Sequence, residues 1–236
     1  MAETTKITKR LPKRTALRQT TLTETIYAAI LERLRRGEVG RDDRILDYEI
    51  AEAFECTRTP VRQALLRLVS EGYLTGTTRG FVMPTLTNED VHEIFEVRRL
   101  LEPSAAASAA AMLDAGVEDA LARAYRKARK ACDKGNGKTM IEADSEFRDA
   151  WLGAVQNVRL QDTIRRFADH AHQIRLGTLN DAAAQKVLVD VMRGVLDGFA
   201  ERSPKRINDA MLTFINRAEE QYFALLGGRD SAGSPP

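Results

Sequence analysis

Apolar residues recur at helical spacing along nearly the whole of this chain, and one short stretch near residue 80 breaks that rhythm. Leu22, Ile26, Ile30 and Leu34 come every fourth residue, and Gly37 supplies a stop. Ile50, Ala51 and Phe54 give the buried side of a short second helix, and Val61, Leu65, Leu68 and Val69 the stripe of a third. The start of that third helix is well marked. Thr57 or Thr59 can cap it, and Pro60 suits a first turn, where its missing N–H has no partner to lose. Tyr73–Thr75 and Phe81–Met83 then read as two short strands around a Gly76–Gly80 turn.

Three helices followed by a small hairpin predict a winged helix-turn-helix over residues 21–84. Pro84 and Thr85 form a short linker, and from there to about residue 226 no strand-like alternation of useful length appears. Thr87 to Asp90 has the form of a capping box, Asn157 and Asn180 sit where caps are expected, and Ser203-Pro204 repeats the cap-then-proline signature. Breaks at Gly116, Gly135–Gly137, Gly177 and the Arg202 region divide residues 85–226 into six helical segments. The expected fold is therefore mainly α, with a helical bundle behind the winged unit. Residues 1–20 read as a flexible basic arm, in which contact with DNA phosphate or groove and an inert tail both stay open. Residues 227–236 read as a disordered tail.

Composition narrows the class. No apolar run reaches the roughly 18 residues of a membrane span, and the N-terminal segment lacks the apolar core of a secretion signal. The two cysteines, Cys56 and Cys132, form no CxxC pattern, which fits a reducing cytoplasm. The net charge of +2 hides an asymmetry: residues 1–84 hold 15 Lys and Arg against 11 Asp and Glu, the remainder 21 against 23. Basic charge thus gathers in the half that would dock on a polyanion.

The third helix carries the chemistry for reading DNA. Arg58 and Arg62 are four residues apart and share a face turned away from Val61, Leu65 and Leu68. Arginine at the N-terminal end of an exposed helix pairs bidentately with guanine in the major groove. Thr57 and Thr59 are placed to reach phosphates, and Arg79-Gly80 at the wing tip to send a guanidinium into the minor groove. Arg67, on the opposite side of the helix, is assigned to an intramolecular salt bridge.

The stretch CTRTPVRQALLRLVSEGYL followed by TTRGFVM resembles the GntR family of bacterial regulators. EIFEVRRLLEPSAAASAA at 93–110 and DSEFRDAWLGAVQN at 144–157 resemble the opening and central motifs of the FCD ligand-binding domain of its FadR subfamily. The resemblance spans roughly residues 22–222. It implies DNA contacts at Arg58, Arg62 and the Arg79-Gly80 wing, and a homodimer on a palindromic operator. Tyr48 departs from it, standing where members often carry a charged residue, which bears on operator preference.

In the helical half, charged residues interrupt the apolar stripes. Asp144 and Arg148 lie on the side of Met140, Phe147, Trp151 and Val155; Arg98 falls within Val91, Ile94, Phe95 and Leu101; Arg175 continues Leu160, Ile164, Phe167 and Ala171. Buried charge is costly unless paired or bound. A closed salt-bridge network is one reading. An internal pocket for an anionic metabolite, such as a small organic acid, is the other, because three cations face one carboxylate. Met192 and Phe214 lie on apolar stripes of their own and are candidates for the wall of that pocket.

Many FCD domains resemble one another in a metal site of one Asp and three His. Aligned here, Asp144 remains, but the His positions fall on Arg148, Met192 and Phe214, so no metal or other cofactor is expected and the effector is expected to bind directly. His170 and His172 are about 200° apart around a helix and are read as structural, and His92 shows no partner. With no nucleophile–base pair, phosphate loop or metal cluster, an enzyme is not expected. The reading is a cytoplasmic, effector-modulated transcriptional regulator, with repression as the sign expected by analogy; the alternative is an architectural DNA binder that senses nothing.

Overall fold

In the computed structural model, residues 21–35, 37–40 and 43–232 are described, the side chains of Gln173 and of residues 227–232 excepted. The chain divides into two compact units, the first ending at Met83 and the second beginning at Pro84.

The first unit holds α1 (Leu22–Arg35), α2 (Asp47–Ala53), α3 (Arg58–Ser70), β1 (Thr75–Thr77) and β2 (Gly80–Val82). Ile26, Ile30, Leu31 and Leu34 of α1 meet Val61, Ala64, Leu65 and Leu68 of α3 in one small core, with Ala51 of α2 against them. Leu22 is exposed, so the stripe begins one turn later than its spacing predicts. Glu55 ends α2 in a left-handed turn, φ 49°, its amide donating to the Glu52 carbonyl while Cys56 N–H reaches the Ala51 carbonyl. This is the double bond pattern that closes a helix at a position favouring glycine.

The hairpin is tighter than the spacing of its apolar residues suggests. Gly76 is not in the turn but inside β1, opposite Phe81, and Thr78-Arg79 alone connect the strands. Tyr73 cannot join the strand because its amide donates to the Leu68 carbonyl at the end of α3. Ile45 pairs with Phe81 on the other side, through hydrogen bonds of 2.8 and 3.0 Å.

The second unit runs α4 (Asn88–Ala109), a 3-10 turn at Ala110–Met112, α5 (Ala115–Asp133), α6 (Gly137–Gly153), α7 (Val158–Thr178), α8 (Ala182–Ala200) and α9 (Pro204–Ala232). The capping box is present: Thr87 Oγ1 accepts from Asp90 N–H, and Asp90 Oδ2 from Thr87 N–H. Asn136 caps α6 and Asn157 caps α7. The cap of α8 is Asp181 rather than Asn180, whose amide instead donates back to the Leu176 carbonyl. Helix α9 continues past residue 226 to Ala232; a helix already propagating tolerates Gly227 and Gly228 at about 1 kcal/mol each. The basic arm 1–20 and residues 233–236 lie outside the described residues.

One apolar core fills this unit, with Phe95, Met140, Trp151, Leu152, Ile164, Met192, Phe199 and Ile207 almost entirely enclosed. Burying each large side chain contributes roughly 1.5–3 kcal/mol. Helices α8 and α9 approach so closely at Gly198 that an added Cβ would lie 3.1 Å from the Ile207 amide nitrogen.

Candidate functional site

Two polar constellations stand out, one in each unit. In the first, α3 presents Thr57, Arg58, Thr59 and Arg62 to solvent. Thr57 occupies the N-cap position, yet its side chain makes no capping hydrogen bond, so first-turn amides and the hydroxyl are both available to an acceptor. Arg58 is not loose: its Nη2 donates to both oxygens of Asp47, at 2.8 and 2.9 Å, and Arg62 Nε lies 3.8 Å from the same carboxylate. Asp47 opens α2 and holds the two guanidinium groups side by side, a positioning partner that residue spacing along α3 does not reveal.

The back of α3 is closed as its helical angle predicts. Arg67 pairs with Glu71 at 2.9 Å and lies 4.0 Å above the Tyr27 ring. Burial, followed by the Glu71 hydrogen bond, pushes the Tyr27 hydroxyl up to about 12. At the hairpin tip Arg79 is exposed, and no partner for its guanidinium occurs among the described residues. Gly80 has a different task from its neighbour. Its φ is +116°, and a Cβ there would sit 2.7 Å from Leu46 Cδ2 and 2.8 Å from the Ile45 carbonyl, so glycine here seats the hairpin on the chain entering α2.

In the second unit, α4, α6 and α7 bring Arg98, Asp144, Arg148 and Arg175 together. Arg98 is fully paired by a residue its stripe did not flag: Glu102, one turn on and 2% exposed, accepts from its Nε at 2.7 Å and Nη2 at 3.3 Å. Burial pulls the Arg98 guanidinium down, but the charge and hydrogen bonds of Glu102 outweigh it and hold it above its usual range. Glu102 thus joins Asp144 among the carboxylates facing the three cations, and Asp169 adds its charge near Arg175.

Asp144 is shared. Arg148 Nη1 lies 3.7 Å from its Oδ2 and Arg175 Nε 3.4 Å from the same oxygen. Arg175 donates from Nη2 to the Ala168 carbonyl at 2.6 Å, but its Nε, though within ion-pair distance of Asp144, has no aligned hydrogen bond. Burial and then the repulsion of Arg148 push Arg175 down to about 10. His172 Nε2 is buried without a partner, and burial followed by the charges of Arg175 and Arg148 lowers the ring to about 4. It is neutral at physiological pH. His92, by contrast, does have a partner, Glu219 at 2.8 Å, and stacks on Phe223, so it clasps α4 to α9.

A cavity of about 50 Å³ opens beside this cluster, with Arg98, Asp144, Arg175 and Thr178 on its polar side and Phe95, Leu188 and Phe214 among its apolar walls. Its volume is enough for a few waters, so an organic ligand requires side chains to move aside. A second space of about 10 Å³ lies against Glu102, Arg148 and Trp151, sharing Arg98, Asp144 and Phe214 with the first. Met192 is wholly buried and is not among the residues lining either space, whereas Phe214, the other expected wall residue, lines both.

The residues present do not fit the metal site that the family resemblance implies. A guanidinium is ion-paired to Asp144, Met192 and Phe214 offer no hard donor, and no group of three His, Cys, Asp or Glu able to hold an ion occurs among the described residues. Among those residues, too, no helix is long and apolar enough to cross a membrane.

Comparison with known proteins adds an independent line. Residues 22–80 match the model for bacterial regulatory proteins, gntR family, and residues 93–217 match the FCD domain. The Nta operon transcriptional regulator of Aminobacter aminovorans is 26% identical over 187 residues, 79% of this chain and 87% of that protein. The fold is similar to that of E. coli McbR/YncC, with TM-score 0.72, 22% identity and coverage of 89% and 99% of the two chains. A putative GntR regulator from Rhodococcus sp. RHA1 gives TM-score 0.70 at 19% identity, covering 86% of this chain and 97% of that one. The matched domains and the relatives are those of transcription regulators, not enzymes.

Proposed function

This chain belongs to the FCD-domain family, a transcriptional regulator with a DNA-binding GntR unit ahead of that domain, and from this premise we propose a homodimeric repressor released by a small organic anion. Arg58 and Arg62 read bases in the major groove of each half of a palindromic operator, Thr57 and Thr59 bind phosphate, and Arg79 enters the minor groove. Asp47 holds Arg58 in its reading position until guanine takes over the guanidinium. The chain acts in the cytoplasm, where its DNA is.

The effector binds beside Arg175, with Arg98, Asp144 and Arg148 around it and Phe214 on the apolar side. The observation that carries this reading is Arg175 itself: a buried guanidinium with an unsatisfied Nε, beside a carboxylate, Asp144, that it shares with Arg148. An incoming carboxylate supplies the missing acceptor and a charge that answers the buried guanidinium. By binding one state of the dimer better, it shifts the population that fits the operator.

Selection of genomic fragments by the purified protein near physiological salt is the test of the DNA half. A short enriched palindrome, lost in Arg58→Ala and Arg62→Ala variants, supports it. Fragments retained without any shared site would replace it with an architectural binder. For the other half, thermal unfolding against a panel of small mono- and dicarboxylic acids should find at least one stabiliser that also releases the selected DNA. That stabilisation should vanish in Arg175→Gln.

A further inference from the structure

The second unit carries a basic groove that neither the effector cavity nor the α3 face uses. Residues 123–138 hold seven Lys and Arg against a single Asp, although residues 85–236 as a whole are slightly acidic. Arg123, Arg126, Lys127, Lys130 and Lys134 line one groove of about 450 Å³ along α5, and no carboxylate lines it. They recur three or four residues apart, so they share one face of the helix.

Part of this charge is answered. Asp119 lies against Arg123 and Arg126, and Glu142 and Glu146 of α6 flank Lys127 at 3.0 and 2.8 Å. Lys130 and Lys134 are exposed and have no ion-pair partner among the described residues. Like charges at this spacing repel one another along a helix, so the row is unfavourable unless something anionic lies along it.

We propose that this groove binds the phosphate backbone of duplex DNA, independently of sequence and outside the contacts made by α3. Three features choose this occupant. From Arg123 to Lys134 the cations span about 16 Å at 1.5 Å per residue, too long for one phosphate group and suited to a row of them. No aromatic side chain lines the groove, so single strands find no stacking platform. The polar lining besides the cations is Asn136 and Thr139, which suits backbone contact rather than recognition of a particular small molecule. The protein already works on DNA, so the backbone is at hand.

Lysine acetylation of the full chain, read by mass spectrometry with and without a random-sequence duplex of roughly 60 base pairs, tests the assignment. The duplex spans several helical repeats of about 10 base pairs. Lys130 and Lys134 should be protected several-fold while exposed Lys186 on α8 is not, and the protection should persist in an Arg58→Ala/Arg62→Ala background. In the wild-type reading domain, Lys130→Gln/Lys134→Gln should lower the slope of log affinity against log salt by about 2, since each neutralised phosphate contributes about 0.9. Lys130→Arg/Lys134→Arg should restore it. The proposal is overturned if the two lysines react equally with and without duplex and the slope is unchanged. Protection by polyglutamate or by ATP, with none from DNA, overturns it in favour of an acidic protein or a nucleotide.

Discussion

Replacing Arg175 with methionine separates a residue kept for binding from one kept for stability. Arg175 is 9% exposed, and burial together with Arg148 lowers its pKa from the usual arginine range to about 10. Because the depressed pKa penalises the charged form, the full cost applies at every pH below about 10, including neutrality. At about 1.4 kcal/mol per unit it amounts to roughly 3 kcal/mol. Against this stands the charge-assisted hydrogen bond to the Ala168 carbonyl at 2.6 Å, worth about 1.5–3 kcal/mol. Methionine matches the length of the stem and leaves Asp144 its contact with Arg148. The Arg175→Met protein should therefore lie between equal stability and about 2 kcal/mol above wild type. For a protein of this size that is a rise in melting temperature of up to about 8 °C, read calorimetrically on the full chain without ligand. Stabilisation by the acid that protects wild type should disappear in the same variant. A fall of more than about 2 kcal/mol would refute the reasoning, because it would mean that the cluster is balanced as it stands and no anion is missing.

Other substitutions probe the remaining parts. His172 is lowered from 6.5 to about 4, so its contribution is complete above pH 6.5 and is lost as pH falls through 4; His172→Gln should remove roughly 3 kcal/mol of acid destabilisation, measured by urea unfolding between those values. Glu55→Gly should stabilise the first unit by about 0.5–1 kcal/mol, since φ 49° costs an L side chain about that much, and a lower melting point would exclude this source of strain. Gly80→Ala should destabilise the hairpin by about 2 kcal/mol or more and weaken DNA binding, because a Cβ cannot fit beside Leu46 and the Ile45 carbonyl; unchanged affinity would separate the wing from recognition.

Much of this architecture was legible because its signals are local. The Thr87–Asp90 capping box, Asn157 and Ser203-Pro204 each mark an element end through bonds made within one turn, and Pro60 marks the start of α3 by the N–H it lacks. The hairpin was displaced by two residues at its first strand because the closing turn of α3 claims the Tyr73 amide for the Leu68 carbonyl, which apolar spacing does not reveal. Asp181 displaced Asn180 as a cap because two adjacent capping residues compete, and the choice depends on where α7 ends.

The site was legible in its cations and less so in their partners. Arg98, Arg148 and Arg175 announce themselves by interrupting apolar stripes, whereas Glu102 hides behind the common exposed i,i+4 pair that it resembles on paper. Only its burial converts that pair from a surface ornament of a few tenths of a kcal/mol into the element that removes Arg98 from the list of free cations. Asp47 escapes in the same way, since it lies on a different helix from the arginines it holds. The consequence is directional. Spacing along one helix finds the groups that will meet a ligand, but the surplus charge that decides whether a ligand is needed depends on partners supplied from other turns and other helices. Here Arg175 keeps an unsatisfied Nε beside a carboxylate that it shares with Arg148.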